Sequence, residues 1–201
     1  MINLPGSTLP RAFYLRDTLT VARDLIGLHL VRRYRGRQLV GRIVETEAYQ
    51  GPRDLAAHSA RGKTERNAVM FGPPGHAYVY LIYGMWNCVN VVTREQGVPH
   101  AVLIRAVEPI DGIDDSTWGP GLLCRAMHID RELNGTDLCG HTLCITAPAE
   151  RKRGKIVRAP RIGVDYAGDW AHKPWRFFEQ SSPYVSTLSA AQRRKALVAS
   201  N

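Results

Sequence analysis

Twice within the body of this chain, apolar residues recur at helical spacing. Leu19, Ala22, Leu25 and Ile26 form one stripe behind Asp17 or Thr18, either of which can cap the helix, and Gly27 stops it. Gly119-Pro120 opens a second helix whose apolar face is Leu122, Leu123, Ala126 and Met127. Elsewhere the pattern alternates as strands do. Residues 28–34 and 38–49 read as an antiparallel pair around a turn at Arg35-Gly36, and 77–83, 85–92 and 101–107 continue the sheet. Further strands are expected near 142–146 and 161–164, with a basic, glycine-containing loop over 150–158 and a frayed helix from Ala190. No internal repeat or linker divides the chain. The expectation is an α+β fold, one mixed domain over residues 1–201 with a curved, mostly antiparallel sheet flanked by helices, and flexible ends at about 1–10 and 188–201.

Composition adds a direction to that frame. The 201 residues suffice for a real core, and a hydrophobic fraction of 44% is ordinary. Net charge is +9, and only five of the 27 basic residues are lysines, which leaves 22 arginines. Arginine binds phosphate through a planar fork and stacks on bases, which suits a polyanionic partner, although an arginine-preferring genome gives the same bias. No apolar run of about eighteen residues is present, so no membrane span is expected, and the N-terminus lacks the pattern of a secretory signal. The expected location is the cytoplasm of a bacterium, or the nucleus in a eukaryote. His128, Cys139, His141 and Cys144 raise a zinc site, but their spacing fits no standard pattern, so no metal is expected; without a P-loop or a G-x-G-x-x-G there is no sign of a nucleotide cofactor either. No cofactor is expected.

Candidate chemistry gathers between Gly41 and Asn90. Glu45, Glu47, Tyr49 and His58 fall within about a dozen residues around a Gly-Pro turn that ends a strand. By strand alternation Ile43, Glu45, Glu47 and Tyr49 share one face. One carboxylate there can activate water while a cation holds the other; alternatively each glutamate simply pairs with an arginine on a solvated face. Gly84 interrupts what would otherwise be an overlong strand, so Tyr83-Gly84 reads as a hairpin tip with an exposed ring. A carboxylate pocket with stacking rings, an exposed aromatic and a basic chain suit an enzyme that pulls a nucleobase out of a helix.

These residues also carry a resemblance. Glu45-Thr46-Glu47-Ala48-Tyr49, Ala57-His58-Ser59, Tyr78-Val79-Tyr80, Tyr83-Gly84-Met85, Asn90 and Leu103-Ile104-Arg105-Ala106 are similar to the alkyladenine (3-methyladenine, or methylpurine) DNA glycosylase family. The likeness continues in Gly119-Pro120-Gly121-Leu122-Leu123-Cys124, Arg161-Ile162-Gly163, Trp170, Lys173-Pro174 and Ser182-Pro183, spanning about residues 25–186.

The resemblance implies a role for each matched position. Glu47, rather than Glu45, is the expected general base, activating water against C1′ of an extruded nucleotide. Tyr49, His58 and Tyr80 are the expected walls of the base pocket, and Asn90 the residue that rejects the exocyclic amine of guanine. Tyr83 is the expected wedge and Arg105 a contact near the flipped nucleotide, with Met85, Thr64 and Arg66 expected as further DNA contacts. The implied partner is double-stranded DNA holding a damaged purine, and the protein is expected to act as a monomer. The implied reaction is monofunctional hydrolysis of the N-glycosidic bond of alkylated or deaminated purines, leaving an abasic site. Two departures from the family pattern are the short acidic stretch between Pro109 and Gly119, where the family usually has a longer and often basic one, and Trp86-Asn87 after the wedge. A non-catalytic module that binds distorted duplexes and a hydrolase of small substrates use the same residue types, and stay open as alternatives.

Overall fold

The alternating stretch after Gly36 folds into one 14-residue strand, and the other elements are arranged around it. In this computed structural model, which describes residues 6–189 and 191–192, the strands are β1 (Ser7–Thr8), β2 (His29–Tyr34), β3 (Arg37–Gln50), β4 (Ala77–Ile82), β5 (Trp86–Thr93), β6 (His100–Asp111), β7 (Leu143–Ala147), β8 (Ile156–Ala159) and β9 (Arg176–Glu179). They form one sheet in the order β1-β7-β2-β3-β6-β5-β4, with β9 added to β3 and β8 to β9. Every described ladder is antiparallel. The result is a sheet-dominated α+β domain.

β3 changes neighbours along its length. Its first half pairs with β2 from Arg37 to Arg42, its second half with β9 from Glu45 to Glu47, and β6 runs along the other edge. Where the neighbour changes, the register against β6 shifts on either side of Glu45. Such a shift reverses the alternation of faces. This corrects the expectation for Ile43, which joins the main core together with Ala48, while Thr46 faces the first long helix; Ile43 does not share a face with the carboxylates.

Three short α-helices cover the sheet, α1 (Arg11–Tyr14), α2 (Thr18–Leu25) and α3 (Pro120–Ala126). Asp17 caps α2 as expected, its Oδ1 accepting the Thr20 N–H at 3.0 Å, and Val21, Ala22, Leu25 and Ile26 are buried against the sheet. α3 starts at Pro120 as predicted, but its buried face is Leu123, Cys124, Ala126 and Met127, with Leu122 only half-buried. Its first turn approaches β5 so closely that a Cβ on Gly121 would lie 2.8 Å from the Trp86 ring, which requires glycine there.

Three further expectations differ from the structure. Residues 161–164 are not a strand; Arg161 turns inward to an ion pair. The basic loop ends earlier than expected, because Ile156–Ala159 pairs with Arg176–Glu179. At the N-terminal end, expected to be loose over about 1–10, Ser7 and Thr8 pair with β7 and Leu9 is buried. The helix expected from Ala190 lies, apart from 191 and 192, outside the described residues. Among the described residues no helix is long and apolar enough to cross a membrane.

Thr46 ties α2 to β3. Its hydroxyl donates to the Ala22 carbonyl at 2.8 Å, in the last turn of the helix where carbonyls lack intrahelical partners. Thr46→Val keeps the shape and strands that buried carbonyl, so urea unfolding should show a loss of about 1–3 kcal/mol. An unchanged midpoint would mean that the hydroxyl contributes nothing at this joint.

Candidate active site

Beyond the register shift, Glu45 and Glu47 point away from α2 and are both fully buried. Neither lies on a solvated face. Glu45 accepts three hydrogen bonds: Oε1 accepts from Arg176 at 2.8 Å and from the Ser186 hydroxyl at 3.0 Å, and Oε2 from the Ser186 N–H at 2.7 Å. The Arg105 Nε lies 3.3 Å from the same carboxylate. Glu47 accepts as many, from different partners. Its Oε2 accepts from the Tyr49 hydroxyl at 2.8 Å and from Arg105 at 3.2 Å, and its Oε1 from the Ile162 N–H at 2.8 Å. A carboxylate offers about four lone-pair sites, so about one stays open on each glutamate.

Arg105 therefore stands between the two carboxylates. Burial works against its charge, but Glu47 and Glu45 outweigh that and raise its pKa. Burial, and then the Glu47 charge, push the Tyr49 phenol well above its ordinary value, so its hydroxyl keeps the proton it donates. Tyr49 is backed by Arg161, whose guanidinium lies 4.7 Å from the ring centroid. Arg161 is itself fixed by a bidentate pair with Asp54, both side chains having no exposure, and by the carbonyls of Ala48 and Trp170. Asp54 in turn accepts the N–H groups of Gln50 and Ala56, which shapes the turn after β3.

In front of Tyr49 opens a cavity of about 380 Å³, lined by Tyr49, His58, Tyr80, Asn90 and Arg105 and, across the mouth, by Ile162 and Tyr166. Its size is that of a small-ligand site. Glu47 lies one layer behind this wall, covered by its three partners. The His58 ring meets Tyr80 edge-on at 4.4 Å and its Nδ1 lies 2.9 Å from the Tyr78 hydroxyl. Packing against these rings, and next the Arg66 cation, lower the His58 pKa. Asn90 is buried and its Nδ2 donates to the Tyr78 carbonyl at 3.0 Å, which holds the amide as a rigid part of the wall.

The hairpin of β4 and β5 ends as predicted at Tyr83-Gly84, with φ of 54° and 70°, and the Met85 N–H bonded to the Ile82 carbonyl at 3.2 Å. Tyr83 is 87% exposed and borders the cavity; Met85, 68% exposed, borders a second hollow on the other side of Trp86. Arg66 reaches back to the Leu81 carbonyl and lies 5.7 Å from the Tyr80 ring. Thr64 is exposed, and its hydroxyl caps the 3-10 turn of Glu65–Phe71 by accepting the Asn67 N–H. Arg161, Arg176, Asp54 and Ser186 hold the site and were not singled out by sequence; only Arg161 stood in a quoted motif. The four residues of the suspected zinc cluster do not form one site, since Cys144 is buried with Val31 and Val40 whereas His128 stacks on Tyr34.

A ring-lined cavity backed by an arginine-held carboxylate stands beside an exposed aromatic at a hairpin tip. Comparison with known proteins gives the class: residues 12–183 match the methylpurine-DNA glycosylase (MPG) family, and the chain belongs to it, which makes it a DNA glycosylase. Its relatives include proteins of Legionella pneumophila (strain Corby), 53% identical over 89% of this chain and 97% of their own, and of Methanocella arvoryzae, 54% identical over 89% and 95%. A third, from Anaeromyxobacter dehalogenans (strain 2CP-C), is 58% identical over 89% and 86%. All three carry the name "Putative 3-methyladenine DNA glycosylase".

Left-handed backbone costs a residue with a Cβ about 1–2 kcal/mol, and asparagine tolerates it better than tyrosine. Tyr83→Asn should therefore raise the melting midpoint, by an amount equivalent to up to about 1 kcal/mol, since the exposed ring has little packing to lose. A lowered midpoint would show that the ring stabilises the hairpin.

Proposed function

We propose that this protein is a monofunctional glycosylase that extrudes alkylated or deaminated purines from duplex DNA and hydrolyses their N-glycosidic bond with a water activated by Glu47. The observation that carries this is where the two buried carboxylates find their partners. All three hydrogen-bond donors to Glu47, from Tyr49, Arg105 and Ile162, belong to residues that line the cavity, whereas those to Glu45 come from Arg176 and Ser186, which are not among the lining residues. A damaged purine is already a good leaving group, so the enzyme needs chiefly a base for the water and negative charge near an oxocarbenium-like sugar. Glu47 supplies both, and Arg105 and the Ile162 N–H hold it in place.

Tyr49 and Tyr80 offer faces for the extruded ring, and Tyr83 fills the gap it leaves. Among the described residues no lysine lines the cavity, which supports hydrolysis without a Schiff-base step. Duplex DNA with a damaged purine is the proposed partner and a monomer the proposed working form.

Glu47→Gln keeps the shape but cannot take a proton, so single-turnover release of an alkylated adenine or hypoxanthine should fall about 100-fold or more while binding to the damaged duplex survives. Glu45→Gln should leave a measurable rate and act mainly on stability, because it weakens the pair with Arg176. Near-normal turnover by Glu47→Gln, with Glu45→Gln inactive, would reverse the assignment.

Asn90 tests the specificity of the same pocket. Held by the Tyr78 carbonyl, its amide is a fixed wall against which the 2-amino group of guanine collides, while hypoxanthine and adenine derivatives lack that group. Asn90→Ser should raise excision of guanine-type bases relative to hypoxanthine about tenfold or more. A ratio equal to wild type in a folded variant would make Asn90 a strand residue only.

A further inference from the structure

Of the large apolar side chains exposed among the described residues, Tyr83, Ile162 and Tyr166 all line the mouth of the cavity, and exposed Leu55 precedes Ala56, which lines it too. Exposed apolar residues scattered singly need no explanation, but a cluster around a cavity mouth marks a contact surface. Tyr83 has a role as the wedge. Tyr166 has none so far, although its ring is 72% exposed and also borders the cavity. It sits in the 3-10 segment Asp165–His172, and its hydroxyl reaches the Ala56 carbonyl only at 3.5 Å, so little holds the ring against the protein.

Its position relative to the chemistry is set by Ile162. The Ile162 N–H bonds to the Glu47 carboxylate, so the reacting centre lies against the wall formed by residues 161–166. On the reading given under Proposed function, the base occupies the space between Tyr49 and Tyr80, and the sugar whose C1′ is attacked lies at the Ile162 wall. The deoxyribose must then leave the cavity past Tyr166. A tyrosine there presents a broad, rigid face at little cost in rotamer entropy.

We propose that Tyr166 is a positioning residue whose ring packs against the deoxyribose of the extruded nucleotide, opposite Tyr83. Tyr83 blocks return of the nucleotide to the helix, and Tyr166 holds its sugar at the wall where Glu47 acts. Because the contact is to the sugar, it persists after the base has left. The proposal rests on the glycosylase reading, and its test is arranged so that the two fail separately.

The full chain is compared with Tyr166→Ala and Tyr166→Phe in binding to three duplexes, undamaged, holding one hypoxanthine, and holding one stable abasic-site analogue, and in single-turnover release of hypoxanthine or an alkylated adenine. Tyr166→Ala should bind the abasic duplex about tenfold more weakly and slow release to a similar degree, with binding to undamaged duplex unchanged. Tyr166→Phe should match wild type, since the ring face and not the hydroxyl makes the contact. Unchanged abasic binding by Tyr166→Ala overturns the proposal, as does an equal loss on undamaged duplex, or a loss in Tyr166→Phe as large as in Tyr166→Ala. A wild type that releases neither base overturns the glycosylase reading itself, and this proposal with it.

Discussion

Two carboxylates buried two residues apart on one strand have to be compensated, and most of the architecture around the site follows from that need. Removing an ion from water costs several kcal/mol unless charge and hydrogen bonds replace the solvent. Here the replacements come from four separate parts of the chain. Arg105 arrives on β6, Arg176 on β9, and the backbone N–H groups of Ile162 and Ser186 from the segments before and after β9. β9 therefore docks on the second half of β3 at the residues that need it, with Glu45 facing Phe178 and Glu47 facing Arg176 in the ladder. The identity of the donors then separates two chemically identical groups. Glu45, bonded to Arg176 and Ser186, ties down the C-terminal part of the domain, and Glu47 is bonded to residues that line the cavity.

The same economy extends behind the base pocket. Asp54 shapes the turn after β3 and holds Arg161, which supports the Tyr49 ring from behind and leads directly into Ile162. The Tyr49 ring and the Ile162 donor to Glu47 are thus set by one buried ion pair. Tyr83, in left-handed backbone, stands on the hairpin tip at the border of the cavity.

Much of this was legible because it is local. The cap at Asp17, the hairpin tip at Tyr83 and the start of α3 all rest on residues within a few positions. What failed was non-local. Alternation put Ile43 with the glutamates, because the register shift beside Glu45 depends on the partner strand and leaves no mark in the β3 sequence itself. The stretch 161–164 looks like a strand by composition, yet Arg161 is claimed by an aspartate 107 residues earlier in the chain. The strands 156–159 and 176–179 are only four residues long and basic in part, so their pairing is decided by what β3 needs and not by propensity.

Charge illustrates the difference between counting and placement. With 22 arginines, the composition suggests a surface made for phosphate, but Arg42, Arg105, Arg161 and Arg176 are largely withdrawn from solvent. Their partners are Glu179, Glu45, Glu47 and Asp54, equally buried, so four positive and four negative charges cancel inside the domain. The net charge of +9 is consequently an excess carried by the remaining, more exposed groups. Arginine serves two distinct ends here: inside, its planar fork grips one carboxylate bidentately, as Arg161 does Asp54, or reaches two at once, as Arg42 and Arg105 do, and outside, the unmatched guanidiniums supply a field that attracts polyanions. Part of the bias toward arginine over lysine is thus explained by the buried carboxylates.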